Sequence, residues 1–135
     1  MGGLALAALF DSSISAVSLE PGECLRAPEG TQILEVDRVD CADPHEFEVF
    51  ATVELPDGPY PGDQRVFEIA MAACQPRLEA YSGAPPDPTG WLVNVFTPSR
   101  EGWDEGDRGA TCLAYRFDEA QFFATVQGSA RSPRG

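Results

Sequence analysis

The chain has 135 residues, with 22 Asp and Glu against nine Lys and Arg, for a formal net charge of −13. All nine basic residues are arginine, and a surface this acidic repels phosphate backbones and anionic headgroups, which excludes nucleic-acid binding and electrostatic docking to a membrane. At 43% hydrophobic and 23% charged, the composition is that of one globular domain long enough to bury a core.

Met1–Phe10 (MGGLALAALF) is uncharged and almost wholly apolar. It is shorter than the roughly 20 apolar residues a membrane-spanning helix needs, and it lacks the positive start of a signal peptide. The expectation is a remnant of a transmembrane or signal segment, with Asp11–Ser18 as a polar spacer, a domain over residues 19–131 and a flexible tail over 132–135. Pro and Gly then cluster at Pro21–Glu23, Ala27–Gly30, Leu55–Asp63 and Ser82–Gly90, and these clusters read as turns. Between them, short β-branched and aromatic runs predict about five strands. Ile33–Val39 offers Leu34 and Val36 to a core. Phe47–Val53 alternates, which puts Phe47, Val49, Ala51 and Val53 on one face. Trp91–Phe96, Thr111–Phe117 and Phe122–Val126 complete the set.

Asp63–Tyr81 breaks this pattern. Its apolar residues Val66, Ile69, Ala70, Ala73, Cys74 and Tyr81 recur at helical spacing, with Asp63 as the expected N-cap and Gly83 as terminator. Pro76 removes a backbone donor and is expected to kink or divide the helix. The fold class expected is α+β, a small antiparallel sheet of about five strands with one main helix.

Cys24, Cys41, Cys74 and Cys112 are even in number, widely spaced, and form no C-x-x-C. Zinc and redox sites favour close pairs, so two disulfides are expected, no metal and no cofactor; a metal site and free buried thiols remain the alternatives. Three pairings are open. The sequential one would stabilise by roughly 3–4 kcal/mol per bond in the chain-entropy picture, and a Cys74–Cys112 bond would pin the helix to a strand. Such bonds persist outside the cytoplasm, so the expected location is extracytoplasmic, either membrane-anchored or secreted.

His45, the only histidine, sits in CADPHEFEV without a nucleophile motif beside it. Its two readings are local hydrogen bonding at a strand entry and contact with a ligand. Carboxylate pairs such as Glu46 with Glu48 are expected by chance in so acidic a chain, and no EF-hand loop is present. In Gly102–Arg108 (GWDEGDR), Trp103 is either the buried anchor of a turn or, with Arg108, an exposed protein-binding pair, and Arg108 could fork onto Glu48 or a neighbour of Asp107.

The segments PGECL, VDCADPHEFEVF, LPDGPYPGD, CQPRLEAYSG, FTPSREGWDEGDRGATCLAY and QGSAR occur in this order between Pro21 and Arg131. Together they resemble the septum formation domain family, whose members look like membrane-tethered proteins with this domain outside. The resemblance implies a link to cell division and supplies no reaction or catalytic residue. The expectation is therefore a non-catalytic binding or scaffolding domain. Its partner would be a protein or another cell-envelope component, His45, Glu48, Trp103, Asp107 and Arg108 are the binding candidates, and oligomeric state is open. The alternative is a small envelope hydrolase in which carboxylates work with His45, for which carboxylates about 5–9 Å apart in a cleft would speak.

Overall fold

A computed structural model of the chain describes residues 19–26, 37–84 and 90–131. The N-terminal stub and spacer, the C-terminal tail, and Leu34 and Val36 lie outside the described residues. Strands β1 (Cys24–Arg26), β2 (Asp37–Val39), β3 (Phe47–Glu54), β4 (Leu92–Phe96) and β5 (Gly109–Tyr115) form one antiparallel sheet in the order β2-β1-β3-β5-β4. A 20-residue helix, α1 (Asp63–Ser82), connects β3 to β4, and a one-turn helix, α2 (Arg100–Asp104), connects β4 to β5. A two-stranded ribbon, β6 (Phe117–Asp118) with β7 (Phe122–Phe123), follows. The fold is α+β, and Cys24 is bonded to Cys41 and Cys74 to Cys112.

Helix α1 buries Val66, Ala70, Cys74 and Leu78, a stripe at four-residue spacing, against the sheet. The Cys74–Cys112 bond fixes the middle of that stripe to β5, and both sulfurs belong to fully buried residues. Two expectations at its ends and middle need correction. Asp63 is the first helical residue, and the N-cap is Gly62, whose φ of 103° and ψ of 154° only glycine adopts readily. Pro76 does not divide the helix, which runs from Asp63 to Ser82; Pro76 is exposed, and the Arg77 guanidinium beside it donates to the Ala73 carbonyl at 2.7 Å. Gly83 closes the helix in the left-handed region, its N–H on the Glu79 carbonyl at 2.8 Å.

Two apolar clusters occupy the two faces of the sheet. The helix-side cluster includes Phe50, Ala51, Leu55, Trp91, Trp103 and Cys112, and the opposite one comprises Leu19, Leu25, Phe47, Val49, Phe96 and Leu113. A register shift between Val49 and Ala51 accounts for the failure of simple alternation in β3. The inserted residue at this bulge moves Ala51 and Val53 to the helix side, while Phe47 and Val49 stay on the other. The strand expected over Phe122–Val126 is shorter: Phe122–Phe123 pair with β6, and Val126 makes an isolated bridge to His45.

Candidate functional site

The five residues singled out by sequence fall in two places. His45 and Glu48 lie beneath the C-terminal segment, whereas Trp103, Asp107 and Arg108 form the corner between α2 and β5.

At the first place, His45 is completely buried and exchanges backbone hydrogen bonds with Val126 at 2.9 and 2.8 Å. Its Nδ1 lies 2.7 Å from the Asp43 carbonyl. A carbonyl only accepts, so Nδ1 donates; Nε2 is buried with no partner among the described residues. His45 thus makes local hydrogen bonds at the strand entry. Glu48 projects from the middle of the sheet and is also completely buried. Its Oε2 accepts from the Tyr81 hydroxyl and from Ser129 Oγ at 2.6 Å, and its Oε1 accepts from the Ala130 N–H at 2.6 Å. Three donors on two oxygens suit the acceptor-only ionised carboxylate. Burial, and then the bond to Glu48, push the Tyr81 hydroxyl well above its ordinary pKa. The Arg131 guanidinium stands 5.1 Å over the Tyr81 ring.

Around these two residues the C-terminal segment is tied across the sheet. Thr125 Oγ1 donates to Glu46 at 2.7 Å, the Gly128 N–H to the Cys41 carbonyl at 2.6 Å, and Gln127 to the Ala42 carbonyl at 3.2 Å. Glu48 and the sulfurs of Cys24 and Cys41 lie within 4.8 Å of one another, but the sulfurs are bonded together and present no thiolate to a metal.

At the second place, Ser99 caps α2 by accepting from the Gly102 N–H at 3.0 Å, and α2 turns Trp103 inward. Trp103 is 4% exposed and donates from its indole N–H to the Gly58 carbonyl at 2.8 Å. The exposed Trp–Arg pair considered from sequence is thus not formed. The Arg108 guanidinium lies 3.8 Å from the Trp103 ring centroid and bonds the Trp103 and Asp107 carbonyls at 2.7 and 3.1 Å. Its carboxylate partner is Asp57, at 3.1 Å, rather than Glu48. Asp107 Oδ1 accepts from the Gly109 N–H at 2.9 Å. Asp107 and Arg108 do line an open groove of about 670 Å³, together with Thr52, Glu54 and Leu19.

Sequence reasoning missed Tyr81 as more than an apolar stripe residue, held Ser129 only as an unremarkable serine of the QGSAR segment, and read α2 as a turn. It also gave no weight to the ribbon, where Phe117 and Phe122 are each 53% exposed. Phe122 is the one non-glycine residue with positive φ among the described residues, at 69°.

A family described as septum formation matches residues 21–133. Neither a curated protein nor a solved structure matches the sequence.

Proposed function

The chain belongs to the septum formation family, and from that premise we propose that it is a non-catalytic extracytoplasmic binding or scaffolding domain. It acts near division or envelope maintenance and is held at the membrane in the full-length protein. The two disulfides support maturation in an oxidising compartment. No helix among the described residues is long and apolar enough to cross a membrane, so the tether belongs to the proposal alone.

The observation that carries the binding reading is the fate of His45 and Glu48. Hydrolysis by carboxylates and histidine needs those groups within reach of a bond to be broken. Here both are completely buried: the Glu48 oxygens and His45 Nδ1 hold backbone and side chains of this chain, and His45 Nε2 is closed off from solvent. A domain that spends its buried acid and its histidine on its own architecture is suited to recognition through its surface.

The test is a pull-down from envelope extract with the oxidised chain, run beside an assay for release of soluble fragments from purified cell wall. Retention of a defined partner without fragment release is expected. Fragment release that His45→Ala abolishes, with no partner retained, would overturn the reading in favour of the hydrolase.

A further inference from the structure

Three of the four exposed large apolar side chains among the described residues, Leu92, Phe117 and Phe122, gather on one stretch of surface. Leu92 stands opposite Tyr115 in the β4–β5 ladder, the Tyr115 ring stacks on Phe122 at 6.1 Å, and Phe122 meets Phe117 edge to face at 5.3 Å. Inward from these rings, Phe123 packs 4.9 Å from Phe122 and 4.7 Å from the buried Phe47. The patch is thus the outer end of an aromatic chain rooted in the core, not a scatter of isolated side chains.

The backbone is bent to keep it there. Phe122 holds φ at 69°, a region that a bulky side chain enters only at a cost and that glycine or asparagine would occupy more cheaply. The strained residue's ring is half exposed, so the strain is not repaid by burial within the chain.

Charge selects the partner. The turn of the ribbon carries Asp118 and Glu119, neither of which forms an ion pair with any described residue, and the whole chain is at −13. Two such chains repel one another, and an anionic bilayer is repelled as well. Strand addition is also disfavoured, because the Asn94 carboxamide oxygen on edge strand β4 accepts from the Val95 N–H at 2.9 Å. Resting on the binding reading above, we propose that the Leu92–Phe117–Phe122 patch is its docking surface, and that the occupant is a protein segment in which apolar or aromatic anchors alternate with Lys or Arg. The anchors cover the rings and the cations meet Asp118 and Glu119.

The probe is a fluorescein-labelled ten-residue peptide alternating Phe and Lys, with a Phe–Glu peptide as its counterpart, titrated by anisotropy onto the oxidised full chain in 0.15 M salt. The Phe–Lys peptide is expected to bind at least about tenfold more tightly than the Phe–Glu one. The Phe117→Ser, Phe122→Ser double variant should lose about tenfold or more, and Asp118→Asn with Glu119→Gln a few-fold together with part of the salt dependence. Phe122→Gly keeps the experiment readable, since it relieves the φ strain: its melting temperature should stay level or rise while binding falls.

Equal affinity of the wild type and the double serine variant would assign the attraction to diffuse net charge and overturn the proposal. A wild-type dimer by sedimentation that the serine variant dissolves would give the patch to a second copy. Tighter peptide binding by Leu6→Ser, Leu9→Ser would give it to the chain's own apolar start. In the envelope pull-down, a partner retained equally by wild type and serine variant sinks this surface and leaves the binding reading standing. Fragment release without any partner sinks the reading itself.

Discussion

Replacing Glu48 by Gln preserves the shape of the side chain and removes the charge on which three donors converge. Tyr81 and the adjacent pair Ser129 and Ala130 lie on two separate parts of the chain, 33, 81 and 82 residues away, so this carboxylate cross-links the sheet to the end of α1 and to the C-terminal segment. Hydrogen bonds to a charged acceptor contribute about 1.5–3 kcal/mol each, roughly twice a neutral one. Gln can still accept from the Ala130 N–H through its carbonyl, and its amide can donate to hydroxyls that rotate to receive it. The net loss is therefore about half of the charged contribution, less the reduced cost of burying a neutral group, or about 1–3 kcal/mol. Glu48→Ala leaves all three donors unmatched around a cavity and should cost at least about 4 kcal/mol, a large share of the 5–15 kcal/mol that holds a typical domain together. The assay is urea unfolding of the oxidised protein followed by tryptophan fluorescence, with m-values compared so that only shifts in midpoint are read as stability. A Glu48→Gln variant within about 0.5 kcal/mol of wild type would refute the cross-link argument.

Trp103→Ala should lower stability by about 3–5 kcal/mol, since it removes a buried ring, the bond to Gly58 and the platform under Arg108; an unchanged melting temperature would contradict this. The paired Cys→Ser variants should rank by loop length in the chain-entropy picture, with about 3 kcal/mol lost for the 17-residue separation of Cys24–Cys41 and about 4 kcal/mol for the 38-residue separation of Cys74–Cys112. Chemical denaturation of the two variants checks the order. Tyr81 and Tyr60 both titrate above their ordinary value when folded, Tyr81 chiefly through burial and Tyr60 chiefly through its bond to Asp63. Above pH of about 10 the unfolded chain releases these protons while the folded chain keeps them, so stability is full below that pH and falls as pH rises. Tyr81→Phe should flatten the fall, Tyr60 retaining a share of it, and parallel pH profiles for variant and wild type would count against the assignment.

What sequence could foresee follows the range of the interactions involved. Helix α1 is legible because its spacing and Gly83 are local signals, whereas the stripe read from sequence runs from Cys74 to Tyr81 and omits the buried Leu78. Nothing local reveals that Pro76 is exposed and that Arg77 reaches back to the Ala73 carbonyl. In β3 the alternation is real for Phe47 and Val49, and the bulge before Ala51 reverses it. A one-residue insertion flips every later side chain, and the sequence carries no mark of it. Glu48 reads from sequence as a binding candidate among 22 acidic residues, and its bonds come from partners that only the fold brings near. Trp103 could be read as buried anchor or exposed hot spot from sequence alone. The choice depends on the Gly58 carbonyl, 45 residues earlier.

Among the described residues the two faces of the sheet are covered unequally, and the exposed aromatic patch lies on the thinner side. One face receives a 20-residue helix and a disulfide that fixes it. The described residues that cover the other are Leu19 and the aromatic side chains of Tyr115 and Phe123. A ribbon with two paired residues in each strand cannot bury both sides of its own rings, so Phe123 goes into the core and Phe117 and Phe122 are left at the rim. Polar side chains at those two positions would keep Phe123 and Tyr115 in place and remove the exposed apolar area, and glycine at Phe122 would remove the strain as well. The contacts of these rings within the chain thus leave about half of each, 53%, open to solvent. Covering that rim by an apolar segment extends the thinner of the two cores across the boundary of the chain, and the carboxylates of Asp118 and Glu119 beside it favour a segment that is also basic.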